Sequence, residues 1–257
     1  MCHETDAQPP RPPGAGTAAQ ATDIHLTSAD GTVFMGRKAD PARARHAGGR
    51  RAAVVVLPDM RGLHGFYKAF ASRLAETGLA AIAIDYYGRV LPDGPREGTP
   101  EEMFPLVMGL QAEQVAADVR AASDLLRAEG ADAVFTLGFC VGGSHSWNQS
   151  AFDQSLAGCI GFYGRPDDCR PYVDRMSVPM LLLGAGADFM SSPEDFHAFD
   201  AELGAAGVEH TAVLYDGLPH AFFDSSADDH RQECDDAWHR VLHFIDEHTA
   251  QRQAVGA

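Results

Sequence analysis

The residues with the most chemical reach lie in the string Leu137-Gly138-Phe139-Cys140-Val141-Gly142-Gly143. A nucleophile on a sharp strand-to-helix turn needs small residues two before and two after it, since larger side chains would collide across the turn. Gly138 and Gly142 supply both. Such a turn lifts the Cys140 thiol to the carboxyl end of a sheet and sets it at a helix N-terminus, whose partial positive charge favours thiolate. The pattern GxCxG alone arises easily by chance, and its weight comes from standing directly after an apolar run and before a helix start. Two further residues follow in the order such a turn demands. Asp188 ends the small-residue loop Gly184-Ala185-Gly186-Ala187, and His220 lies in Leu218-Pro219-His220-Ala221-Phe222, each just past an apolar run. His220 would serve as general base and acid while Asp188 fixes its tautomer and orientation, which is the chemistry of attack on an acyl carbonyl. Taken singly, each residue also fits a plainer role: a buried cysteine, a surface aspartate, a solvated histidine.

Those three loops need a sheet to bring them together. Residues 52–57, 80–84, 133–139, 157–162, 179–183 and 211–215 are short apolar runs, read as strands. Phe66, Phe70 and Leu74 recur at helical spacing, as do Val115, Val119, Ala122 and Leu126, and Trp238, Val241, Leu242 and Ile245. Gly78 and Gly130 stand where the first two of these helices should end. The alternation predicts an α/β domain with a mostly parallel sheet and helices on both faces, whose carboxyl edge binds ligands. Residues 22–28 and 32–37 alternate in polarity around Asp30-Gly31, predicting an N-terminal antiparallel hairpin with a tight turn of positive φ angles. Residues 43–51 read as a solvated basic connection. Residues 1–21, rich in Pro, Ala, Gly and Gln, read as a disordered N-terminal arm, 22–250 as one domain without repeats, and 251–257 as a flexible C-terminal tail. Residues 91–109 break the rhythm. Thr99, Pro100 and Glu102 resemble the N-cap, first residue and capping-box acid of a short helix. Its apolar set Met103, Phe104, Leu106, Val107 and Met108 suits either a flap over a ligand pocket or a packed insertion.

Composition narrows the function classes. Of 257 residues, 45% are hydrophobic, enough to fill a core. Lys and Arg number 20 against 36 Asp and Glu, a formal charge of −16 that repels nucleic acid and anionic lipid. No apolar run reaches the length of a membrane span, and the first six residues lack the basic and apolar regions of an export signal, so a cytoplasmic location is expected. The five cysteines are scattered without a CxxC pair, which argues against a disulfide scaffold or a zinc site. His239 and His243 lie one helical turn apart with no third ligand evident, so neither metal nor cofactor is expected.

From about residue 22 to about residue 250 the chain resembles the dienelactone hydrolase family of α/β-hydrolases. The likeness is carried by the GFCVGG turn, the GAGAD loop, the LPHAF segment, Pro58-Asp59-Met60-Arg61-Gly62 and Asp85-Tyr86-Tyr87-Gly88-Arg89. The resemblance implies an α/β-hydrolase fold and a triad of Cys140, His220 and Asp188, with the backbone N–H groups of Met60 and Val141 as oxyanion hole. It implies that Asp59, standing where the family has a glutamate, tunes the thiol, and that Arg89 grips a substrate carboxylate. Tyr87 and Tyr163 match pocket-lining aromatics. The family's second arginine is replaced here by Asp224, which would oppose an anionic substrate. Phe222, Phe223 and residues 103–108 would favour neutral or larger ligands if they line the cleft. The expected protein is a cofactor-independent hydrolase of a small-molecule lactone or ester, acting through an acyl-thioester as a monomer or weak homodimer. Two alternatives stay open: acyl transfer or rearrangement of a natural-product intermediate on the same site, and a non-catalytic ligand-binding relative.

Overall fold

The computed structural model describes residues 6–16, 20–96, 98–224 and 230–251. In chain order the elements are β1 Gln20–Thr27, β2 Val33–Asp40, β3 His46–Ala47, β4 Arg50–Leu57, α1 Gly65–Glu76, β5 Ala80–Ile84, α2 Pro100–Met108, α3 Ala112–Ala128, β6 Ala133–Phe139, α4 Val141–Phe152, β7 Gly158–Phe162, β8 Met180–Ala187, α5 Pro193–Ala205, β9 His210–Pro219 and α6 Arg231–Gln251. Every residue of β6 and β7, and β4 from Ala52 onward, is buried. That is why these strands read as continuous apolar runs with no polar alternation.

Among the described residues the strand order is β1-β2-β5-β4-β6-β7-β8-β9, with β3 paired to β4. β1, β2 and β5 pair antiparallel in turn, and the strands from β5 through β9 run parallel. Phe66, Phe70, Trp238 and Ile245, from α1 and α6, pack into the core on one side. Val119, Leu126, Trp147 and Phe199, from α3, α4 and α5, pack into a second core cluster. Phe70 stacks on Trp238 at 5.3 Å and meets Phe139 edge-on at 5.0 Å, tying both helices to β6. Each such aromatic pair contributes about 0.5–1.5 kcal/mol beyond the area it buries.

This topology places the loops that matter. β4 is flanked by β5 on one side and β6 on the other, so the strand order reverses there. Loops leaving two parallel neighbours at such a reversal open a crevice. The loop after β4 and the turn after β6 leave side by side, with Leu57 opposite Gly138. β7, β8 and β9 follow in order and carry their own loops to the same edge.

Four expectations change. The hairpin closes through a wider loop, residues 28–32, in which Gly31 takes φ 86° and Asp30 instead accepts the Thr32 amide at 3.0 Å. The basic stretch contains β3, which folds back on Arg50 and Arg51, and its Arg45 binds Asp246 of α6. The segment 6–16 is packed, not disordered. Ala7 and the prolines at 9, 10 and 12 are buried, and the Pro10 carbonyl accepts the Trp238 indole N–H at 3.1 Å. Gln8 N–H donates to Asp224 Oδ1 at 3.1 Å and Gly16 N–H to the Glu76 carbonyl at 2.9 Å. Proline suits such a strap because it has no backbone donor to satisfy and loses little freedom on docking. Residues 1–5, 17–19 and 252–257 lie outside the described residues, while Gln251, read as tail, closes α6. Of the two readings open for residues 91–109 the packed one fits α2, which starts on the expected capping box, Thr99 and Glu102 bonding each other's backbone N–H: Met103 is buried, with Leu106 and Val107 against the second core. Phe104 and Met108 are its exposed apolar side chains. Among the described residues no helix is long and apolar enough to cross a membrane.

Candidate active site

Cys140 sits between β6 and α4 at φ 56° and ψ −123°, a conformation that L-residues other than glycine rarely hold. Such strain is worth on the order of 1–3 kcal/mol and persists only where the surroundings over-determine it. Here its own amide is held by the Phe162 carbonyl at 3.0 Å and its carbonyl by the Ser144 amide at 3.1 Å. The glycines two residues either side are obligatory. A Cβ at Gly138 would overlap the Gly142 carbonyl, and one at Gly142 would overlap the carbonyls of Leu57 and Pro58. The outcome is a half-buried thiol, not joined in a disulfide, at the head of a 12-residue helix, whose N–H groups and dipole favour the thiolate.

His220 and Asp188 meet across the loops after β9 and β8. His220 Nδ1 lies 2.7 Å from Asp188 Oδ2, with both side chains almost fully buried. The other Asp188 oxygen accepts the Met190 amide at 2.7 Å, so the carboxylate is oriented from both sides. Burial alone would push the imidazole toward neutrality. The Asp188 hydrogen bond, and then the Cys140 sulfur beside the ring, outweigh it and raise the His220 pKa to about 9. Tyr163, held at φ 38° with its amide on the Leu183 carbonyl, packs its ring 4.8 Å from that of His220.

The loop after β4 lies beside the Cys140 turn. The Asp59 carboxylate accepts the Arg61 amide at 2.8 Å and lies 3.6 Å from His64 Nε2, while His64 Nδ1 caps α1 through the Phe66 amide. Tyr86 donates its hydroxyl to the Asp59 carbonyl and Tyr87 to the Met60 carbonyl, both at 2.7 Å, which fixes the Met60 peptide. Val141 opens α4, so its N–H is one of the four that an α-helix leaves without an internal acceptor.

Three residues expected to contact a ligand are placed otherwise. Arg89 is spent on an internal ion cluster: Nε and Nη2 bind the Asp118 carboxylate at 3.1 and 2.7 Å, and Nη1 binds Asp30 and Thr32. Tyr87 is fully buried and serves the loop as just described. Phe222 is 1% exposed and packed among the rings of Phe162, Tyr163 and Tyr215. Phe223 is likewise core, and the Asp224 carboxylate is engaged by the Gln8 amide. Two residues escape sequence reasoning. Phe189 is 68% exposed with its ring 5.3 Å from that of His220, and Met190 beside it is 40% exposed. Their signal in the sequence is two large apolar residues directly after Asp188, which itself follows a run of Gly and Ala.

The dienelactone hydrolase family model matches residues 36–249 of the chain. The chain is similar to a Salmonella typhi protein provisionally named carboxymethylenebutenolidase, with 26% identity over 79% of this chain and 80% of that one. It is also 26% identical to a Bradyrhizobium protein provisionally named 2-oxo-3-(5-oxofuran-2-ylidene)propanoate lactonase, over 80% of this chain and 88% of the relative. Among solved structures, a provisionally named dienelactone hydrolase from Klebsiella pneumoniae superposes with a TM-score of 0.75 and 25% identity, over 88% of this chain and 98% of the other. An esterase from Pyrococcus furiosus shares the fold, with a TM-score of 0.66 and 15% identity over 93% of this chain and 99% of that one.

Proposed function

The chain belongs to the dienelactone hydrolase family, a group of ester- and lactone-cleaving α/β-hydrolases, and from that membership we propose that Cys140 is its nucleophile, His220 its general base and acid, and Asp188 the carboxylate that orients His220. The observation that carries this reading is the buried His220–Asp188 pair set beside a half-exposed thiol on a strained, glycine-flanked turn.

In this mechanism Cys140 shares its proton with His220 and the sulfur attacks the carbonyl carbon of a lactone or small ester. The carbonyl electron pair moves to oxygen, and the resulting negative charge is met by the N–H groups of Val141 and Met60. Collapse restores the carbonyl and breaks the bond to the alcohol oxygen, which takes its proton from His220, leaving an acyl-thioester. His220 then removes a proton from water, the hydroxide oxygen attacks the thioester, and the departing sulfur is reprotonated as the acid leaves. Asp59, whose carboxylate borders the same loop, is read as the group that adjusts the thiol. The substrate is proposed to be a lactone or ester without a carboxylate requirement, because the arginine that would grip one is committed to Asp118 and Asp30.

Cys140→Ala tests the assignment. Ester cleavage should fall by at least ~1,000-fold with the fold retained, since loss of a nucleophile leaves only binding and oxyanion stabilisation. Intact-mass spectrometry of wild-type protein mixed with a slow ester should show one acyl group, carried by the peptide containing Cys140. Residual activity near wild type, or an acyl group on another residue, would sink the proposal.

A further inference from the structure

His220 is bracketed by two rings of opposite exposure. Tyr163, 4.8 Å away, is 2% exposed and belongs to the core, while Phe189, 5.3 Å away, has 68% of its surface open. Single apolar side chains on a surface are common and need no explanation. Phe189 differs in its position, against an imidazole whose own side chain is almost fully buried. The loop also holds it there: Asp188 Oδ1 accepts the Met190 amide, closing a turn over Phe189, and the next side chain, Met190, is apolar and part-exposed as well. The residues that precede this loop, Gly184 to Ala187 at the end of β8, are all Gly or Ala.

We propose that Phe189, with Met190, is the specificity wall for the leaving side of the substrate, and that the substrate class is a neutral ester or lactone whose alcohol-side carbons are alkyl or aryl. This rests on His220 being the proton donor to the departing oxygen. Donor and acceptor must then approach within about 2.6–3.2 Å, which sets the carbon next to that oxygen beside the imidazole that the Phe189 ring flanks. An apolar group there covers phenyl surface while losing its own contact with water. A charged or hydroxylated group would be dehydrated against a ring that offers it no partner. The arginine that the resemblance would bring to an anion is spent elsewhere, Arg89 on Asp118 and Asp30, and in place of a second arginine stands Asp224, whose carboxylate accepts the Gln8 amide.

Phe189→Ala, with Phe189→Leu as the conservative companion, tests this on benzyl acetate and ethyl acetate, which share an acyl group and differ in the alcohol. For Phe189→Ala, kcat/KM on benzyl acetate should fall about tenfold, mainly through KM, and by only about two- to threefold on ethyl acetate, whose two alcohol carbons cover less of the ring, with Leu recovering most of the loss. A second reading needs no turnover. Benzyl alcohol should protect Cys140 from iodoacetamide in wild type at about a tenth of the concentration needed in Phe189→Ala, with unprotected alkylation equal in both. Equal losses on both esters would make Phe189 a mere cover for His220 and overturn the proposal, as would equal protection of the two proteins. Failure of the proposed triad looks different: no acyl group would reside on Cys140, whatever residue stood at position 189.

Discussion

His220 carries its charge against the direction in which burial pushes it. His145, five residues past Cys140 and also buried, shows the other outcome: with no charged partner, burial drives its pKa down to about 4. For His220 the Asp188 hydrogen bond and the Cys140 sulfur reverse the sign, to about 9. A histidine whose native pKa is raised above its ordinary 6.5 contributes stability that is fully present below that pH and is lost as the pH climbs through about 9. Asp188→Asn keeps the shape and removes the charge. Its loss of thermal stability should therefore be largest near pH 6 and smallest near pH 10, read by scanning fluorimetry across that range. A gap that does not vary with pH would mean that Asp188 does not hold the charge. At this scale the sequence is most informative where the constraint is local. Gly138 and Gly142 are legible because the turn itself demands them, and the pairing of Asp188 with His220 because each stands a few residues past an apolar run. Phe222 is misread because its burial depends on Phe162 and Tyr163, at and just past the end of β7, and on Tyr215 of β9.

Between elements, the Arg89 cluster joins three pieces of chain: the turn after β5, α3 through Asp118, and the hairpin of β1 and β2 through Ser28 and Asp30. Asp118 is 0% exposed, and its pKa is raised by that burial despite Arg89. Removing one partner of a buried pair leaves the other charge stranded, typically at about 3–5 kcal/mol. Arg89→Met should be destabilised by about that much in urea unfolding, and the double variant Arg89→Met, Asp118→Leu should recover most of it, because no charge is left behind. Turnover per folded molecule on a neutral ester should change little in either. Loss of turnover with stability unchanged would return Arg89 to a ligand-binding role. None of this is readable from spacing, since Asp118 lies 29 residues beyond Arg89 and on a different element. The α2 start, in contrast, is fully written in Thr99-Pro100 and Glu102, because a capping box closes on itself within one turn.

Over the whole molecule, the strap of residues 6–16 joins distant parts of the fold, reaching the end of α1 through Gly16, α6 through Pro10 and the segment after His220 through Gln8. Its composition suggests disorder, and what overrides that is an apolar seat supplied by Trp238, more than 200 residues away. Deleting residues 6–16 should lower Tm by about 5–10 °C, as expected for losing about 2–3 kcal/mol in a chain of this size, and should shift tryptophan emission to the red as Trp238 meets water. An unchanged Tm and spectrum would mean that the strap adds nothing to the native state. The separation of these contacts also orders events in time. Gln8 and Pro10 bond residues 216 and 228 positions later, so the strap leaves the ribosome early and has no seat until α6 has been made and packed. Closing so long a loop is slow relative to the local pairings of the sheet. The strap therefore cannot take its seat on Trp238 until α6 exists, so this contact belongs to the late events of folding.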